Sequence, residues 1–316
     1  MSGVTITAGW SFSGGITITE APPPQNTAAW FGGGVTPSMV STVDRITYAT
    51  DTATASVRGP LSLARARLAA AGNTTDGWFG GGYATANCST VDRITYATDT
   101  ATASVRGPLS LARARLAAAG NTTDGWFGGG QAGPSVGSGV DRITYATDTA
   151  TASVRGPLSS ARRYLAAAGN TTDGWFGGGY TPGGQTSTVD RITYATDTAT
   201  ASVRGPLSLA KYALAAAGNT TDGWFGGGVP LTSTVQRITY ATDTATASVR
   251  GPLSSANRYL AAAGNTTDGW FGGGDPGLGP TSLVQRITYA TDTATASVRG
   301  PLGGGKKYEA AAGGVQ

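Results

Sequence analysis

The chain is expected to fold as an all-β, six-bladed β-propeller of four-stranded antiparallel blades, and three features predict it. First, the stretch Arg-Ile-Thr-Tyr-Ala-Thr-Asp-Thr-Ala-Thr-Ala-Ser-Val-Arg-Gly-Pro-Leu recurs from Arg45, Arg93, Arg142, Arg191, Arg237 and Arg286, at spacings of 48, 49, 49, 46 and 49 residues. Second, each unit holds four short strand-like stretches, and four strands in a period of about 40 to 50 residues make a propeller blade. Third, the repeat is split between the chain ends: the first copy begins at Trp30, and Tyr308-Glu-Ala-Ala-Ala-Gly313 supplies the strand it lacks. Pairing the C-terminal strand with the first blade would close the ring and remove its open edges.

Within a unit the strands are expected in the order a, b, c, d. Strand a is Leu68-Ala-Ala-Ala-Gly-Asn73, whose small side chains let neighbouring inner strands converge on the axis. Asp76-Gly77 is expected to form the a–b hairpin turn, because a tight two-residue turn needs positive φ. Strand b follows as Trp78-Phe-Gly-Gly-Gly82, with glycines for close packing. Strand c, Val91 to Thr98, alternates Val91, Arg93, Thr95 and Ala97 on one face with Ile94 and Tyr96 on the other. Asp99-Thr100 turns the chain into strand d, Ala101 to Arg106, which Gly107-Pro108 ends. The tryptophans of strand b are expected to pack between blades as apolar anchors. The repeated aspartates and arginines, such as Asp51 and Arg58, are expected to serve turns and inter-blade pairs.

Composition narrows the chemistry. Of 316 residues 13% are charged and 39% hydrophobic, which opposes disorder. No apolar run approaches the roughly 18 residues of a membrane span. Histidine is absent and Cys88 is the single cysteine, so zinc centres, Ser-His-Asp triads and an intrachain disulfide are excluded, and no cofactor is expected. Met1 to Trp10 shows neither a basic nor an apolar leader region.

The glycine cluster Gly80 to Gly82, Tyr96 in strand c, the acidic turn at Asp99 and the run Pro60-Leu-Ser-Leu-Ala-Arg65 resemble the kelch-repeat β-propellers over about nine tenths of the chain. Kelch blades carry tryptophan at the start of strand d and two glycines in strand b; here Ala103-Ser-Val and three glycines stand there. Near-identical blades with changing loops, behind the segment Gly9-Trp-Ser-Phe-Ser-Gly-Gly-Ile-Thr-Ile-Thr19, also resemble virion structural proteins of marine tailed phages of the cyanophage type. That resemblance implies a location on the virion surface and contact with other virion proteins.

The six copies can be compared with one another. The a–b and c–d turns are constant, whereas the b–c loops, starting at Val35, Tyr83, Gln131, Tyr180, Val229 and Asp275, and the d–a connections vary. Both variable connections emerge on the same face of an antiparallel blade. Twelve repeated arginines stand against fifteen repeated carboxylates, leaving ten cations against three acids elsewhere. All ten lie in d–a connections: Arg65, Arg67, Arg113, Arg115, Arg162, Arg163, Lys211, Arg258, Lys306 and Lys307, interleaved with Tyr164, Tyr212, Tyr259 and Tyr308. They are expected to form a basic, aromatic rim around the channel mouth, where guanidinium forks take carboxylate, sulfate or phosphate groups and tyrosines stack on sugars or side chains. The unchanging opposite face argues against mere loop tolerance.

Other chemistry finds less support. Sialidase-like propellers combine an arginine cluster with a Tyr/Glu pair, which Tyr308-Glu309 echoes, but a second carboxylate at a suitable separation is not apparent. No nucleic-acid motif accompanies the modest net charge of +4. Residues 1–28 form a separate N-terminal segment with a Pro-rich linker before the propeller of residues 29–316, and Trp10 and Phe12 are its attachment candidates. The sequence is thus read as a non-enzymatic binding head of a phage particle, contacting a host-surface glycan or protein and neither nucleic acid nor the membrane interior. A structural or decoration protein without a receptor is the alternative, and a glycosidase the remote one.

Overall fold

The computed structural model describes residues 26–313; Trp10 and Phe12 lie outside them. The described residues form six four-stranded antiparallel sheets arranged as a propeller, with six short 3-10 turns, such as Tyr48–Thr50, as their helical content. Among them no helix is long and apolar enough to cross a membrane. Blade 2 shows the pattern: strand a is Ala69–Gly72, b Asp76–Gly80, c Val91–Thr95 and d Ser104–Arg106. Blade 1 takes its inner strand from the other end of the chain. Ala310–Ala312 pairs antiparallel with Ala28–Gly32, Trp30 opposite Ala312 and Gly32 opposite Ala310, and the ring is closed.

Three local expectations are corrected. The a–b turn lies two residues earlier than Asp76-Gly77: Gly72 pairs with Gly77, and the Asn73 N–H donates to the Asp76 carbonyl, so Thr74 and Thr75 are the loop residues. Asn73 Oδ1 accepts from the N–H groups of Thr75 and Asp76, which supplies the turn without positive φ. Gly77 instead serves close approach, since a Cβ there would stand 2.8 Å from the Ala312 methyl of blade 1 and 2.9 Å from the Tyr96 hydroxyl. Strand c ends at Thr95 rather than Thr98, because Tyr96–Thr98 coil into a 3-10 turn that lays Tyr96 flat on Trp30 of blade 1, ring centroids 3.7 Å apart. Strand d is only three residues long, which keeps the outer edge short.

Each core cluster lies between two blades. At the first junction Trp30, Val43 and Leu61 meet Phe79, Ile94 and Ala103, and Phe79 reaches inward because Gly32 opposite it has no side chain. One aspartate then fastens the pair. Asp99, in the c–d turn of blade 2, accepts from Trp30 Nε1 at 2.8 Å and from Arg45 at 3.1 Å, with Arg58 Nε 3.5 Å away. Trp270, Arg286 and Arg299 hold Asp51 in the same way, so the closing junction is built like the others.

Candidate functional site

The d–a connections and b–c loops lie side by side on one face, joined by bridges such as Ala66 to Tyr83, Ala114 to Gln131, Arg163 to Tyr180 and Lys307 to Val35. Four consecutive residues of each d–a connection enter four different environments, and this divides the ten candidate cations.

The first position is buried. Arg65 pairs with Asp92 at 2.7 Å and donates to the Phe79 carbonyl; Arg113 and Arg162 repeat this with Asp141 and Asp190, and Lys306 with Asp44 at 2.8 Å. Lys211 reaches only the carbonyls of Phe225 and Thr234, because Gln236 stands where four of the other blades have aspartate. Burial lowers its pKa from 10.5 to about 7. The expectation of one exposed rim of ten cations is therefore corrected: Arg65, Arg113, Arg162, Lys211 and Lys306 are inside the protein, where strand c offers a buried carboxylate or amide and strand b a free carbonyl. Their heads face protein groups and not solvent.

The second position carries Arg163, Tyr212, Arg258 and Lys307, half-buried beside the b–c loops. The third forms the mouth. Arg67, Arg115, Tyr164, Ala213, Tyr259 and Tyr308 all adopt left-handed backbone, with φ between 58° and 64°. Each donates its N–H to the carbonyl of the preceding member, Arg115 to Arg67, Tyr164 to Arg115 and so on, until Arg67 donates to Tyr308. Six hydrogen bonds of 2.7–2.9 Å thus close a circle around the axis. They offset the left-handed strain, about 1–2 kcal/mol for each residue with a Cβ. Tyr164 and Tyr308 stand on opposite sides of that circle, yet their ring centroids are 6.5 Å apart, and Tyr259 lies 5.7 and 4.3 Å from them. The three rings lean over the axis. Below them is a vestibule of about 90 Å³, and at the other end of the channel a cavity of about 100 Å³ is lined by the Ala-Ala-Gly inner strands.

Charge on this face is lopsided. Asp275 binds Lys307 at 2.8 Å and lies 3.6 Å from Arg258; the Lys307 hydrogen bond is the main reason its pKa falls to about 2. On the other side Arg115 and Arg163 both donate to Gln131 Oε1. Arg67 lies over Tyr308 and Tyr83, Arg115 over Tyr164, and Arg163 over Tyr180. Among the described residues every lysine and arginine has a carboxylate within 4.0 Å except Lys211, Arg67, Arg115 and Arg163. Lys211 is enclosed; the other three gather at one side of the mouth, where the Tyr212 ring contacts those of both Tyr164 and Tyr180. Such guanidiniums are suited to an incoming anion.

Gln131, Tyr83, Tyr180 and Asp275 belong to this site although sequence reasoning did not select them. The available signal was their shared place, first after the glycine triplet in each variable loop. Glu309, the sequence candidate for hydrolytic chemistry, is buried, and no other residue donates a hydrogen bond to its carboxyl. Compared with known proteins, the chain matches no protein-family model and no curated sequence.

Proposed function

We propose that the protein is a non-enzymatic binding head that recognises an anionic group on a host-surface glycan or protein at the mouth of its propeller. The observation that carries this reading is the convergence of Arg67, Arg115 and Arg163, three guanidiniums without a carboxylate partner, beside a group of tyrosines. The guanidiniums supply paired N–H donors for carboxylate, sulfate or phosphate, and the tyrosines supply flat apolar surface for the remainder of the ligand. The kelch-like repeat and the resemblance to cyanophage-type virion proteins support a place on a particle surface, with the segment ahead of the first strand, Ala28–Gly32, as the attachment. An array of anionic and neutral oligosaccharides and acidic peptides tests the idea. Binding is expected among the anionic members only, and replacing Arg67, Arg115 and Arg163 together by glutamine removes it. Equal retention by the triple variant, or no binding by either protein, would favour a structural role without a receptor.

A further inference from the structure

The residue after the mouth ring is leucine in five connections, Leu68, Leu116, Leu165, Leu214 and Leu260, and glutamate in the sixth, Glu309. That exception falls at the seam. Glu309 immediately precedes Ala310–Ala312, the strand that closes the ring on blade 1, and its carboxyl lies against Gly273 of blade 6. It is 5% exposed, and no other residue donates to either oxygen; its own backbone N–H is the one donor that acts on the carboxyl. The charged groups around it are few. The Lys306 ammonium is already held by Asp44 at 2.8 Å and by the Phe31 carbonyl at 3.1 Å. Asp44 adds a negative charge, and at the equivalent place in blade 6 strand c carries neutral Gln285. Arg67 and Arg115 line the vestibule on its other side, while Lys307 and Asp275 pair with each other above.

A carboxylate buried among apolar groups with no donor beyond its own N–H is strongly disfavoured against the neutral acid. An open seam would return the same carboxyl to water, where it ionises readily. We propose that ring closure takes up a proton at Glu309, which makes the seam a pH-sensitive latch beneath the mouth. Opening transfers that proton to water, leaving the carboxylate solvated. It also breaks the hydrogen bond from Arg67 N–H to the Tyr308 carbonyl and so undoes the mouth ring at its junction with Tyr308. The latch concerns the ring itself and stands whether or not the mouth binds an anion.

The sign follows from linkage. Burial raises the Glu309 pKa from 4.5 to about 8, with Lys306 and the residue's own backbone N–H only partly opposing it. Between these values the closed state holds a proton that the open state releases, so closure is strongest below pH 4.5 and weakens as pH rises to about 8, then levels. Native-state hydrogen exchange of the Ala310–Ala312 amides, corrected for intrinsic rates, tests this in the full-length protein, Glu309→Leu and Glu309→Gln. Glu309→Leu restores the residue of the other five blades, and Glu309→Gln keeps the shape without the titration. The opening constant of the wild-type strand is expected to rise about tenfold per pH unit between pH 5 and 8, and to stay flat in both variants. The same slope in the variants, or an equal slope in the inner strands of blades 3 and 4, would overturn the proposal.

Discussion

Lys211 shows how closely one buried charge depends on its partner. In blade 6 both halves of the equivalent pair are neutral, Asn257 donating to the Gly273 carbonyl near Gln285, whereas Lys211 kept its charge and faces Gln236. Gln236 Oε1 accepts from Ser208 and from the Leu209 N–H, and Nε2 is left without a partner. Aspartate would accept from the hydroxyl and N–H of Ser208, as Asp141 does from those of Ser110, and give Lys211 a counter-ion. Gln236→Asp should therefore stabilise the protein by about 2 kcal/mol at pH 7, read from urea unfolding. The pH dependence has a definite sign. Because the folded-state pKa of Lys211 is lowered from 10.5 to about 7, its penalty is largest below pH 7 and is relieved as pH rises toward 10.5. Gln236→Asp should flatten that rise; an unchanged profile would mean that Lys211 does not titrate in this window.

At the scale of the element, glycine positions separate into those that hold the ring and those that do not. Gly107 looks in the sequence like a stop after strand d. In the structure its N–H donates to the Asp148 carbonyl, and a Cβ would overlap the Ala150 carbonyl of the next blade. Gly107→Ala should cost about 3 kcal/mol, while Gly304→Ala, with nothing within 4 Å, should leave the melting temperature unchanged. The mouth ring gives the opposite case: Ala213 holds φ 58° with a Cβ, so Ala213→Gly should be neutral or stabilising by up to about 1 kcal/mol. Strand positions were legible because period-two patterning and glycine punctuation report backbone directly. The a–b turn was misplaced because an Asp-Gly pair carries the same turn signal whether glycine serves a positive φ or, as at Gly77, the approach of another strand.

For the whole molecule, blade number and closure could be read from the repeat and its split ends, since both are matters of chain arithmetic. The site was legible only to the level of its face. Arg65 and Arg67 are the same residue type two positions apart, yet one is sealed against Asp92 and the other stands at the mouth, because the chain switches to left-handed backbone at Arg67. A signal for the buried set did exist: where Asn257 loses the charge, strand c carries Gln285 and not aspartate. That sorting leaves three guanidiniums as the centre of the functional account. The most direct test is calorimetric titration of the protein with oligogalacturonate, a defined polycarboxylate, in parallel with the Arg67→Gln, Arg115→Gln, Arg163→Gln triple variant. Three lost charge-assisted contacts predict a loss of affinity of at least about 100-fold at unchanged stability. Equal affinity of the two proteins, or no binding by the wild type to this or any sulfated or phosphorylated probe, would contradict it.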